Sequence, residues 1–364
     1  MKSRLLGIRI LTILLALTIA FPVPVFCADE DAVAETEEPE TISYEQTDVP
    51  GRRLTSRVIK PRKRLKADLA KLMKSNKGYD IVQGGCTNGK YAYYLMVSSK
   101  TQKGRVLKVK LKNHKVVKRS KVLRTWHGNG MAYDSKRKKL VVIAREHRKQ
   151  EITVIDAKTL KITRQQNVKY DYFAGAGKDS LWSVHQRQGL AAIAYVKKYD
   201  VYVALERVYH NLLIFDPDTF EAIGMVFTEI PDAYPGTFQA MDADEKYVYL
   251  LMSSYQKNPA AQPYNLIVAL DWNSECLMPV TRGEVPFIEK GWYCHNSGNG
   301  APDAVIRLRT KHEAENIYHT TDKSGRAHFY LAEYYNKPVY KKSGKKKKLR
   351  YYKRKDYVYD LGII

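Results

Sequence analysis

Apolar residues recur along the chain in short runs of four to seven, parted by polar turns, rather than at helical spacing. The stretch His127–Leu160 shows the pattern most plainly. His127-Gly128-Asn129-Gly130 leads into a short apolar strand, and Asp134-Ser135-Lys136 supplies a turn. Leu140-Val141-Val142-Ile143-Ala144 is a second strand, rich in β-branched side chains that suit a pleated, half-buried surface. Arg145 to Gln150 is a polar connection to a third strand at Ile152-Thr153-Val154-Ile155, and Asp156-Ala157-Lys158-Thr159 turns into a fourth. Four short strands with polar turns make one small antiparallel sheet.

The unit repeats. Gln83 to Tyr91 opens an earlier copy with an Asn88-Gly89 hairpin turn. Ile193-Ala194-Tyr195 parallels Met131-Ala132-Tyr133, Gln239-Ala240-Met241-Asp242 begins another copy, and Glu315-Asn316-Ile317-Tyr318 begins a last one. With Gly85, Met131, Ile193, Met241 and Ile317 in one column, the spacings are 46, 62, 48 and 76. A second marker recurs independently in the turn after the third strand. It is Asp156 with Thr159, Asp216 with Thr219, and Asp271 with Ser274, the aspartates lying 60 and 55 apart. One twisted four-stranded sheet cannot cover both its faces, so such sheets stack radially and cover each other. The pattern predicts an all-β fold, a β-propeller of five four-stranded blades over 80–364, with insertions before the third and fifth blades. A β-sandwich is the competing fold, and it does not predict the recurring turn aspartates.

The N-terminal stretch follows different rules. Lys2 and Arg4 precede an apolar run from Leu11 to Phe21, and Val25-Phe26-Cys27-Ala28 has the form of a cleavage region. Residues 1–27 therefore read as a secretory signal peptide, with lipidation at Cys27 or an uncleaved anchor as alternatives. Residues 28–50 are acidic, poor in aromatics and read as a disordered linker. Residues 51–79 form a basic segment, in which Leu65, Leu69 and Leu72 predict a short helix near 62–75.

Charge sharpens this division. The whole chain carries a formal +24. Without the three cations of the leader and the nine carboxylates of the linker, 59 Lys+Arg face 29 Asp+Glu, and the body is at about +30. Much of the excess lies in Lys341 to Lys355, where Lys345, Lys346, Lys347, Lys348, Arg350, Lys353 and Arg354 cluster around Gly344, read as the tip of a long hairpin. Such a patch attracts polyanions. For an exported chain these are anionic wall polymers, acidic glycans and anionic membrane surfaces. Nucleic acid is disfavoured by location and by the absence of a recognition module. Lysines that merely protect a strand edge are the plainer alternative.

The positions that open the inner strands are polar: Gln83, His127, Asn129, Gln188, Gln239, Glu313 and Glu315. The loops after second strands add Arg145, Glu146, His147, Glu206, Arg207 and His210, with Trp126, Trp182, Tyr209 and Tyr255 close by. Amides, carboxylates and aromatic faces suit a polyhydroxylated ligand at the channel mouth. Side chains that only satisfy inner-strand backbone are the alternative. Glu206, Glu313 and Glu315 are candidates for the two acids that glycoside cleavage needs. No GxSxG, HExxH, phosphate-loop or dinucleotide glycine pattern occurs, so no cofactor is expected. Export permits disulfides, and Cys276 with Cys294 is a candidate pair, whereas Cys86 reads as a buried free thiol. No Cys/His spacing suggests zinc, and a monomer is expected.

Two motifs carry a family resemblance. Lys311-His312-Glu313-Ala314-Glu315-Asn316-Ile317 and Gln239-Ala240-Met241-Asp242 resemble the acidic and glutamine motifs of secreted Gram-positive propellers related to the helveticin bacteriocin group. The resemblance implies a five-bladed propeller acting at bacterial envelopes. It carries over no catalytic residue.

Overall fold

A computed structural model describes residues 55–363, apart from 60–62, 74–77, 80, 99, 145–150, 169–188, 208–209, 227, 229–236, 254–264, 272–277, 280–291, 295–303, 309, 311 and 344–345. Residues 1–50, read from the sequence as a signal peptide and an acidic linker, lie outside the described residues. Among those described, no helix is long and apolar enough to cross a membrane.

The chain enters through β1 (Thr55–Ile59), β2 (Lys63–Asp68) and α1 (Leu69–Leu72). Blade 1 is β3 (Ile81–Thr87), β4 (Tyr91–Val97), β5 (Gly104–Lys110) and β6 (Val116–Arg119). Blade 2 is β7 (Gly130–Asp134), β8 (Lys139–Ile143), β9 (Glu151–Asp156) and β10 (Ile162–Asn167). Blade 3 is β11 (Leu190–Val196), β12 (Val201–Glu206), β13 (Leu212–Phe215) and β14 (Ala222–Val226). Blade 4 holds β15 (Thr237–Ala243), β16 (Tyr247–Ser253) and β17 (Asn265–Asp271). After the short strands β18 (Met278–Pro279) and β19 (Trp292–Cys294), it is completed by β20 (Ala304–Leu308). Blade 5 is β21 (Glu313–Thr321), β22 (Ala327–Ser343) and β23 (Lys346–Ile363), with β2 as its fourth strand.

The inner strands β3, β7, β11, β15 and β21 neighbour one another in turn, and β21 returns to β3, so the ring closes at five blades. Burial grades outward along each blade. Every residue of β11 is buried, whereas β10 is mostly exposed. Small residues stand where inner strands crowd. A Cβ on Gly84 would lie 2.9 Å from Met131 Cβ, and one on Gly130 would lie 2.8 Å from the Ile193 nitrogen. Apolar clusters then fill the wedges between blades 1 and 2, 2 and 3, 4 and 5, and 5 and 1.

The recurring turn aspartates act as local caps. Asp156 Oδ1 accepts from the Thr159 N–H and hydroxyl, both at 2.7 Å, and Asp216 Oδ1 accepts from the same two groups of Thr219. The Asp271 side chain lies outside the description. A third marker, absent from the sequence reading, sits in the turns after the inner strands. There Asn88, Asp134, Asp244 and Asp322 each accept backbone N–H groups two to four residues on.

Two expectations need correcting. The helix predicted near 62–75 spans just Leu69–Leu72, because Lys63–Asp68 is drawn into strand β2 against β23. The leucine spacing reports burial, not helix: Leu69 is fully buried and Leu65 and Leu72 pack beside it in the wedge between blades 5 and 1. The long insertion expected before blade 5 falls inside blade 4, between its third and fourth strands. Part of it, β18 and β19, extends the outer edge of blade 3. The insertion before blade 3 lies outside the described residues.

Candidate functional site

Starts of the inner strands lie at one end of the axis, here the leading end, and their ends at the other, the trailing end. The position two residues before the aligned column is Gln83, Asn129, Ala191, Gln239 and Glu315. A register shift falls at this position in blades 1, 3, 4 and 5, so the residue bulges out of its ladder. A bulge re-aims a side chain, and here the same bulge repeats around the axis. Gln83, Asn129, Gln239 and Glu315 are all buried.

Three of these four groups find partners in neighbouring blades, whereas the buried Asn129 Oδ1 has no hydrogen-bond partner among the described residues. Gln83 Nε2 donates to Glu315 Oε2 at 3.2 Å, and Gln239 Nε2 donates to Glu313 Oε1 at 3.0 Å. Glu315 therefore reaches towards blade 1 and Glu313 towards blade 4. Asn316 Nδ2 donates to the Gly85 carbonyl at 3.1 Å, tying blade 5 to blade 1 again. His210 sits edge-on to Phe238, ring centres 4.5 Å apart, next to Gln239. Glu206 is fully buried at the end of β12, and its backbone N–H donates to the Asn211 carbonyl. His127 turns towards blade 1, its Nδ1 2.9 Å from Gln102 Oε1. Arg145, Glu146, His147, Gln188, Trp182, Tyr209, Tyr255 and Cys276 lie outside the described residues, as does the Cys294 side chain.

Beside the ring lies Glu333. It is fully buried on β22 opposite Ala314, and burial pushes its carboxyl up to about 8, the Thr310 and Tyr359 hydroxyls offsetting only part. Nothing in its local sequence marks it, since a lone Glu in a strand reads as exposed.

The lysine-rich hairpin also leaves from the leading end. Residues Ala327–Tyr334 of β22 pair with β21, but beyond them β22 and β23 continue as a two-stranded ribbon to Ser343 opposite Lys346. The register sets Lys337 opposite Lys353, Lys341 opposite Lys348 and Lys342 opposite Lys347. Like charges directly opposite are destabilising. Tyr340 and Leu349, paired with each other, are about half exposed at 54% and 43%. Lys345 is outside the described residues, and Arg350 is exposed.

At the trailing end a cavity of about 290 Å³ lies among the ends of β3, β7, β11, β15 and β21. Asp242 and His319 face it. Asp242 Oδ2 accepts from both the His319 backbone N–H and its Nδ1, at 2.6 and 2.7 Å. Burial alone would lower the imidazole, but the Asp242 carboxylate overcomes it and holds His319 above the ordinary histidine range. Cys86, free and buried, lines the same space, and burial, with Asp242 adding, pushes its thiol well up. The sequence did offer a signal here: polar residues one and two places after the apolar column in two adjacent blades, Asp242 after Met241 and His319 after Ile317. Among the described residues no group of three His, Cys, Asp or Glu is placed to hold a metal.

By architecture the chain is a five-bladed β-propeller with a polar ring at one end of its axis and a cavity at the other. No protein-family model matches the sequence, and no curated protein does. Among solved structures it is similar to the glutaminyl cyclase of Myxococcus xanthus, at 11% identity and TM-score 0.47, over 86% of this chain and all of that one. It is also similar to the β-propeller domain of Cps50 (Swd1) of Myceliophteria thermophila, at 12% identity and TM-score 0.31, over 71% of this chain and 95% of that one.

Proposed function

We propose that this protein is an exported docking module that attaches through its basic ribbon to a phosphate- or carboxylate-bearing polymer of the cell envelope. One observation carries the reading: the hairpin register sets lysine against lysine three times along a ribbon that leaves the body of the fold. About nine residues a side at ~3.3 Å each give a ribbon on the order of 30 Å long. Facing cations repel unless an anion comes between them, so the ribbon gains most from a partner carrying many spaced anionic groups. Exposed Tyr340 and Leu349 add apolar contact within the charged strip. The polar ring lies at the same end, so a polymer held by the ribbon would run past it.

The leading-end carboxylates give hydrolysis no comparable support. Glu313 and Glu315 take amide partners in opposite neighbouring blades instead of converging on one space.

Co-sedimentation with poly(glycerol phosphate) at low and high salt tests the reading. At ~1 kcal/mol for each lysine near an anionic surface, changing Lys341, Lys342, Lys347 and Lys348 to Gln removes up to about 4 kcal/mol. Screening reduces this, and at least a tenfold loss of affinity is expected in low salt. Wild type should fall to the variant's level as salt rises. Equal sedimentation of the two proteins at low salt would sink the proposal. Binding confined to nucleic acid or to anionic vesicles would assign the ribbon to that surface instead.

A further inference from the structure

The trailing-end cavity has a chemistry of its own, independent of the ribbon. Its floor is apolar, with Met131 and Ile193 from the aligned column. Its wall carries the hydroxyl of Thr320 and two cationic groups, Lys197 from the turn after β11 and His319 from β21. Among the charged groups near the imidazole, Asp242 is already engaged: Oδ2 by His319 and Oδ1 by the Ala243 N–H. Asp244 is likewise held, by the Lys246 and Tyr247 N–H groups and the Tyr249 hydroxyl. Cys86 faces the cavity as a neutral thiol. The Tyr249 and Phe329 rings pack edge-on and tilted against the imidazole and carry no charge near neutral pH. Asp242 takes Nδ1, which leaves Nε2 for a ligand. When the imidazole is protonated, two cations and one internally engaged carboxylate line the space.

We propose that this cavity binds a small organic anion, its carboxylate or phosphate held between Lys197 and His319 and its carbon part resting on Met131 and Ile193. The volume sits near the lower bound of ligand pockets. At ~30 Å³ per water it has room for on the order of ten non-hydrogen atoms. That fits a short hydroxy acid or a sugar-sized phosphate. Asp242 serves as the positioning residue, fixing the ring so that a charged Nε2–H is presented to the ligand.

The test uses the full chain in salt high enough to screen the ribbon. Succinate, lactate and glycerol 3-phosphate are titrated separately while the histidine ring signals are followed by NMR, the His319 signal being assigned by its loss in His319→Gln. At least one probe should shift that signal saturably at millimolar concentration. Carboxylate and phosphate arms then identify the anionic group. Lys197→Met, in an exposed turn where folding is not at stake, should weaken binding at least tenfold. Raising the pH from about 6 to about 9 should weaken wild-type binding by a similar factor, since only the protonated ring donates through both nitrogens. His319→Gln should bind weakly with no such dependence. A His319 signal that no probe moves, or a Lys197→Met protein that binds as tightly as wild type, overturns the proposal.

Discussion

Replacing Glu333 with Gln should make the protein more stable at alkaline pH and should remove a pH dependence that wild type shows. Glu333 has no exposed surface, lies opposite Ala314 and Tyr357, and sits where the wedge between blades 4 and 5 is already polar. In that wedge Asn265 Nδ2 donates to Thr310 Oγ1 and, at 2.7 Å, to the His312 carbonyl, while Ser253 Oγ and Asn265 Oδ1 lie 2.6 Å apart. Burial raises the Glu333 carboxyl from 4.5 to about 8. The folded protein therefore keeps this proton up to about pH 8, whereas the unfolded chain loses it above the ordinary carboxylate pKa. Between these limits the unfolded state binds fewer protons, so stability falls as pH rises. The slope is about 1.4 kcal/mol per pH unit, and the whole window is worth ~5 kcal/mol as an upper bound. Gln keeps the shape and cannot ionise. Urea unfolding of both proteins at pH 5, 6, 7 and 8 measures the difference in stability. It should move in favour of Glu333→Gln by ~1 kcal/mol or more at each step. Amide hydrogen bonding will offset the two curves by a constant, so the slope is the test. Parallel curves across that range would refute the reasoning.

Further consequences follow from other contacts. Gly85→Ala places a Cβ 2.4 Å from Asn316 Oδ1 and should cost about 1–3 kcal/mol, with a coupling above ~0.5 kcal/mol in a double-mutant cycle with Asn316→Ala; additive costs would mean that the two do not meet. Arg137 joins blades 2 and 3, donating through Nε to Asp218 at 2.8 Å and through one terminal nitrogen to Asp200 at 2.7 Å and to fully buried Asp134 at 3.2 Å. Hydrogen bonding to Arg137 holds Asp200 and Asp218 below the usual carboxylate range, so this stabilisation is present at neutral pH and lost in acid. Arg137→Gln should cost about 1–3 kcal/mol at pH 7, mostly through Asp134, and should flatten the acid limb of the stability curve seen by calorimetry. With Cys27, Cys276 and Cys294 changed to Ser, Cys86 should react with a thiol reagent slowly through the trailing-end cavity, because burial and Asp242 keep its thiol protonated; labelling in native buffer as fast as in urea would show that the inner strand opens locally.

Much of the ring was legible because two chemical needs repeat at fixed places. The column Gly85, Met131, Ile193, Met241 and Ile317 marks strands that meet at an axis, and the aspartates after third strands mark turns that need a cap. The polar ring was legible for the same reason: one position of the repeat carries an amide or carboxylate in four of the five blades, and in three of those four the residue bulges from its ladder. What escaped depends on contacts between distant parts of the chain. Leu65, Leu69 and Leu72 show helical spacing, yet backbone pairing with a strand almost 300 residues later decides the conformation of Lys63–Asp68. Glu313 and Glu315 alternate in sequence and suggest one face, but the bulge between Ala314 and Asn316 gives them partners in different blades. Asp242 and His319 are 77 residues apart and are joined only by ring geometry.

Ring closure and the basic ribbon share one strand. β23 pairs with β2 through Lys63, Arg64 and Asp68, so an early strand of the chain is fastened to its last described strand. The same β23, a few residues earlier, forms one side of the ribbon. The junction is marked by Lys355, whose Nζ lies 2.9 Å from Asp68 Oδ2. Asp68 also caps α1, accepting from the Lys71 N–H. A pull on the ribbon would therefore reach the closing strand pair before any other blade. Ring proteins fastened by strand pairing resist opening because the pairing must be lost cooperatively, ladder and wedge together. Here that wedge holds Leu69, Met73, Tyr94 and Tyr318, all essentially unexposed, with the two tyrosine hydroxyls 2.5 Å apart. A ribbon rooted beside this buried seam is placed where a pull must break strand pairing and wedge packing together.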